Sequence, residues 1–292
     1  MISNAIAIAN SKGGVGKSSV AVNLAGLAAH SGWRTLLVDL DPQGQVGYEL
    51  GVGGTDLDDK GRGLLLALLE GAPLEPVKDV RPGLDIVTAG AMTENVADQL
   101  RRTDVADVER VIAPMSANYD LIVFDTPPAT GSPLADAALV ATHFVVIPTK
   151  SDGGSLRGLQ DMATRCSDIR ARSNPDLSVL GVVIFAVKAS ASRRRQDRRD
   201  MLEAGLPAEV IVFDSFIREA AAAGDDLRDL ALLAHEYEAQ AVGAPKWWER
   251  RRDPKASKAP TFASNAADLA SDYQKLTEEV LAAYRSRLEV AA

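Results

Sequence analysis

Apolar residues fall along the chain in short unbroken runs separated by longer mixed segments. The runs are "AIAIAN" (5–10), "RTLLVDL" (34–40), "LDIVTAG" (84–90), "YDLIVFDTPP" (119–128), "HFVVIPT" (143–149), "LSVLGVVIFAV" (177–187) and "EVIVF" (209–213). Runs this short, rich in β-branched residues and lacking alternation, predict strands buried on both faces. Between them, "KSSVAVNLAGLAAHSG" predicts a helix ending at Gly32. Segments 64–71, 94–113, 133–141, 154–172 and 192–204 predict further helices, and 216–240 reads as mostly helical. The glycine-rich polar stretch 42–63 predicts a mobile loop. Strands alternating with helices define an α/β class: a doubly wound, mostly parallel sheet flanked by helices.

The pattern changes near residue 244. The stretch "APKWWERRRDPKASKAPTFASN" (244–265) holds three prolines and no periodicity, so it reads as a basic linker or arm. Beyond it, Leu269, Tyr273, Leu276, Val280, Tyr284 and Leu288 recur every three or four residues, one face of an amphipathic helix. The expected organisation is a domain over 1–243, an arm over 244–265, and a C-terminal helix over 266–292 that docks on the domain.

Composition narrows the class. The 292 residues are 46% hydrophobic and 25% charged, the balance of a globular chain. The formal net charge of −8 means that contact with nucleic acid must come from local basic patches. The single cysteine, Cys166, excludes an internal disulfide and a chain-borne iron–sulfur cluster. The first strand starts almost at once and no apolar run reaches transmembrane length, so a cytoplasmic protein is expected.

The chemistry begins at "NSKGGVGKSS" (10–19), between a predicted strand and a predicted helix. Ser11 occupies the place where an ordinary phosphate loop starts with glycine, and an extra lysine, Lys12, follows it. Gly13, Gly14 and Gly16, with Val15 between them, free backbone N–H groups to surround phosphate oxygens at a helix N-terminus. Lys17 should reach the β- and γ-phosphates and Ser18 should bind Mg²⁺, with Ser19 completing the loop. Asp125 ends "LIVFD", where an acid sits at the carboxyl edge of the sheet and suits contact with Mg²⁺. Asp39 and Asp41 end "VDLD": one can support the metal shell, and Asp41 is the candidate for orienting the attacking water.

The segments "KGGVGKSS", "LLVDLDPQG" and "YDLIVFDTPP", in this order, resemble the deviant Walker-A ATPases of the ParA/MinD family, above all the small ParA or Soj type that partitions DNA. The likeness covers about residues 1–240. It implies an ATPase in which two ATP molecules are sandwiched in a homodimer and Lys12 crosses to the partner's phosphates. It implies Asp41 as the hydrolysis-supporting aspartate and Asp125 as the Walker-B acid. It also implies binding to non-specific double-stranded DNA, stimulation by a ParB-like partner, and a nucleoid-associated location. The adenine-side Thr and Asp of many members are replaced by Phe185-Ala186-Val187-Lys188.

Within that family, members differ in what the dimer holds. The final helix carries five acids (Asp268, Asp272, Glu278, Glu279, Glu289) against three bases (Lys275, Arg285, Arg287), a poor match for an anionic bilayer and hence for a MinD-like membrane role. The cluster Arg193, Arg194, Arg195, Arg198 and Arg199 suits DNA phosphates, and Arg218 matches a family arginine at the DNA surface. A second cluster comprises Lys246, Arg250, Arg251 and Arg252. A ParA-like ATPase that positions another cargo is the nearest alternative.

Overall fold

The computed structural model describes residues 1–128, 131–150, 155–188, 192–207, 210–245, 252 and 261–291. Its strands are β1 (Ile2–Ile8), β2 (Thr35–Asp39), β3 (Val77–Arg81), β4 (Leu84–Val87), β5 (Leu121–Asp125), β6 (Thr142–Lys150), β7 (Ser178–Val187) and β8 (Val212–Arg218). They form one sheet of order β3-β4-β2-β5-β1-β6-β7-β8. Every pairing is parallel except β3 with the neighbouring β4.

Alternate residues of the central strands supply two separate cores, as a pleated sheet covered on both faces requires. Ala5, Ala7, Leu36, Val38, Ile122 and Phe124 enter one core. Ile6, Ile8, Leu37, Leu121 and Val123 enter the other. On the first face lie α3 (Arg62–Glu70), α4 (Thr93–Arg102), α5 (Asp107–Ile112), α6 (Pro133–Ala141) and α7 (Ser155–Arg172). On the second lie α1 (Lys17–His30), α10 (Ala234–Gly243) and the C-terminal α11 (Ala266–Ala291). The remaining helices are α2 (Gln45–Glu49), α8 (Ser192–Gly205) and α9 (Ala221–Leu230).

The C-terminal helix explains its own acids. Strand β8 is a sheet edge, with backbone N–H groups that face no further strand. Glu279 accepts hydrogen bonds from the backbone N–H groups of Asp214 and Ser215, at 2.7 and 2.9 Å. Asp272 accepts from the Arg218 N–H at 3.0 Å. The apolar stripe (Leu269, Tyr273, Leu276, Val280, Tyr284) is buried against α1, α10 and the sheet.

Four sequence expectations need correction. The single helix expected over 94–113 is two, α4 and α5, because Thr103 leaves helical geometry at φ −113°, ψ −112°. The last strand is not 209–213 but β8, and residues 216–218, expected to be helical, are its end. The stretch 42–63 contains α2 and the first two residues of α3. The antiparallel edge strand β3 was not anticipated, since "VKDVR" is half exposed and mixes charge with valine.

Candidate active site

At the carboxyl edge of the sheet, register brings the acids to the phosphate loop. Asp39 pairs with Asp125 across β2 and β5, and Asp125 pairs with Ile8 across β5 and β1. The chain leaving β1 therefore turns into the loop directly beside both carboxylates. Both are buried, and Asp39 Oδ2 and both Asp125 oxygens have no hydrogen-bond partner. The other Asp39 oxygen accepts the Asp41 N–H at 2.9 Å, and Asp41 in turn accepts the Gln43 N–H at 3.0 Å.

The loop is anchored by a residue the sequence reading overlooked. Asn10, fully buried, donates to the Pro148 carbonyl at 2.7 Å and accepts the Lys12 N–H at 3.0 Å. It thereby ties the loop to β6. A polar residue ending an otherwise apolar strand was the available signal. Gly16 has φ +88°, and an added Cβ would lie 2.4 Å from the Phe185 ring. Only glycine satisfies both the left-handed backbone and that close approach.

The two lysines of the loop have different stations. The Lys17 amine is folded inward and donates to the Lys12 carbonyl at 3.2 Å. Burial lowers its pKa, while Asp125 and Asp41 pull it back up. The stem of Lys12 instead lies along α7, its Cδ 3.4 Å from the position of a Cβ on Gly158. A cavity of about 320 Å³ is lined by Gly13, Gly14, Gly16, Lys17, Ser18, Ser19 and Asp41, among others. Lys17 borders that space and Lys12 does not. A second cavity of about 230 Å³ adjoins it, bordered by Phe185, Ala186, Arg218, Arg228 and Tyr273. Ser19, Glu49, Phe185 and Arg228 border both cavities.

Burial, and mutual repulsion with Asp125, raise Asp39 well above the ordinary carboxylate value. Burial raises Asp125 to about 7, with the nearby Ser18 hydroxyl and Lys17 pulling down. Two buried carboxylates with three unpartnered oxygens between them, beside a serine, fit a hydrated Mg²⁺, whose ligands in phosphate-loop sites are largely phosphate and water. No cluster of three or more His, Cys, Asp or Glu suited to a metal exists among the described residues.

The basic residues are less uniform than the sequence suggests. Arg218 donates to Asp272 at 2.6 and 2.9 Å and pairs with Asp268 at 2.6 Å. Its guanidinium clamps α11 to β8. Arg199 pairs with Glu203 at 2.7 Å and with Asp214. The side chains of Arg193, Arg194, Arg195 and Arg198 lie outside the described residues, although their helix is α8. Lys246, Arg250 and Arg251 also lie outside them.

A loop after the central strand, a lysine folded into it, and acids on the two next strands define a phosphate-loop nucleotide site. Residues 3–179 match a family model described as an AAA domain. The chain is 37% identical to the chromosome-partitioning ATPase Soj of Thermus thermophilus over 179 residues, 61% of this chain and 68% of that one. It is 34% identical to the sporulation initiation inhibitor Soj of Bacillus subtilis over 190 residues, covering 63% and 73%. The fold is similar to that of a Cyanothece McdA variant solved with ATP, with a TM-score of 0.75, 18% identity and 96% of each chain covered. The chain belongs to the ParA/MinD family of ATPases.

Proposed function

We propose that this chain is a ParA-type partition ATPase: ATP binding builds a sandwich homodimer, the dimer holds non-specific double-stranded DNA, and a ParB-like partner triggers hydrolysis and release. The observation that carries this reading is the separation of the two lysines. Lys17 borders the cavity and serves the phosphates of its own protomer. Lys12 is stationed outside it, beside α7, where a cation meant for the other protomer's ATP belongs. A charge supplied by a partner stabilises the transferring phosphoryl group only after assembly, which makes hydrolysis conditional on the dimer.

Ser18, with Asp39 and Asp125 through water, would hold Mg²⁺, which when bound offsets charge on the phosphate oxygens. Asp41 borders the cavity at the end of β2 and is the residue assigned to orient the attacking water. The arginines of α8 supply the DNA contacts. No described helix is long and apolar enough to cross a membrane, and Asp268, Asp272 and Glu279 of α11 are engaged with β8.

The test is solution mass with ATP, ADP and no nucleotide. Wild type should double in mass with ATP alone. Lys12→Ala should bind ATP yet remain monomeric, and Lys17→Ala should bind neither. Equal mass for wild type in all three conditions would remove the sandwich dimer from the account.

A further inference from the structure

A third lysine stands at the phosphate loop. Ile8 at the end of β1 pairs with Val146, so β6 runs four residues further, to Lys150, alongside the loop rather than beneath it. The extension is held by β7, where Lys150 pairs with Phe185, the residue whose ring covers Gly16. It is tied to the loop through Asn10 and the Pro148 carbonyl. The Ser11 hydroxyl reaches the Gly158 carbonyl of α7 at 3.4 Å, fixing the other side of the loop. From this position Lys150 directs its amine over the loop: Nζ lies 3.9 Å from where a Cβ on Gly14 would be. Gly14 has φ +68° and borders the 320 Å³ cavity.

We infer that Lys150 is a phosphate-contacting residue, serving the terminal phosphate of the nucleotide bound by its own protomer. The inference rests on the reading of the loop as an ATP site. Lys150, like Lys12, does not border the cavity, but its amine lies over Gly14, which does and which has no side chain in between, whereas the Lys12 stem runs towards α7. The four-carbon stem lets the amine advance over Gly14 while its backbone stays fixed in β6. Lys17 enters from the helix side of the loop and Lys150 from the strand side, so the two cations are complementary. Because Lys150 lies nearest the part of the loop that precedes Lys17, its charge should favour a nucleoside triphosphate over a diphosphate.

The test measures equilibrium binding of fluorescent ATP and ADP analogues with Mg²⁺. Lys12→Ala serves as the background, which keeps the partner's lysine out of the measurement. Adding Lys150→Ala should weaken ATP binding about tenfold, as for loss of a charge-assisted contact. ADP binding should change less than about threefold. Lys150→Arg should restore the preference for ATP and Lys150→Gln should not; thermal melts establish that each variant is folded. If wild type binds neither nucleotide, the ATP-site reading itself fails. If wild type binds ATP and Lys150→Ala leaves the ATP-to-ADP ratio unchanged, the assignment of Lys150 is overturned and the site stands without it.

Discussion

Asp39 and Asp125 are register partners at the ends of β2 and β5, both buried, with three of their four carboxylate oxygens lacking a hydrogen-bond partner. Two such carboxylates cannot both ionise without a compensating cation, and the Lys17 charge acts on Asp125. The site is thus preorganised for an incoming positive charge, and the nucleotide-free protein bears the strain.

That strain has a pH signature. The folded-state value of Asp125, about 7, lies above its ordinary value of 3.8, so the folded chain binds the extra proton between those limits. Its stability contribution is therefore present below about pH 4 and is lost as pH rises towards 7, by on the order of 2–4 kcal/mol. Asp125→Asn should raise the nucleotide-free melting temperature at pH 8 and flatten its decline between pH 5 and 8, while removing Mg²⁺-dependent hydrolysis. Melting curves at the two pH values check this; a variant less stable than wild type at pH 8 would contradict it.

Gly16 and Phe185 form a contact that excludes any side chain at the loop's end. Gly16→Ala should cost about 2 kcal/mol or more, from positive-φ strain and from overpacking against the ring. Adding Phe185→Ala should recover only the overpacking part. Denaturant unfolding of the two variants separates the contributions, and full recovery in the double variant would mean that backbone strain is unimportant here.

Arg218 joins β8 to α11 through Asp272 and Asp268. Its removal leaves Asp272, with only 6% of its side chain exposed, as a buried charge without its bidentate partner. Arg218→Ala should destabilise the fold by about 2–4 kcal/mol and increase proteolytic cleavage in α11. Asp272→Asn, which keeps an acceptor, should cost less. If Arg218→Ala melts like wild type but binds DNA weakly, the clamp is unimportant and Arg218 is a DNA contact after all.

Much of this was legible in the chain. Strands buried on both faces, such as "LIVFD" and "TLLVD", announce themselves as apolar runs, and they carry the acids to the sheet edge. Edge strands do not: β3 and β8 are half exposed, and "DSFIR" reads as a helix start until α11 is seen to satisfy its N–H groups. The loop lysines, Ser18 and the three aspartates come from local motifs. Lys150, Asn10 and Glu49 do not, because their importance lies in what register and packing set beside the loop. Glu49, raised to about 7 by burial, borders both cavities from a helix that the sequence presents as loop.

The most direct test of the account is binding to non-specific double-stranded DNA with ATP, ADP and no nucleotide, across a salt series. Binding is expected with ATP alone, falling steeply with salt, lost in Lys12→Ala, and weakened in Arg194→Ala with dimerisation intact. A protein that dimerises with ATP but binds no DNA at low salt would contradict it, and the arginines of α8 would then be a solvated face on an ATPase that positions a different cargo.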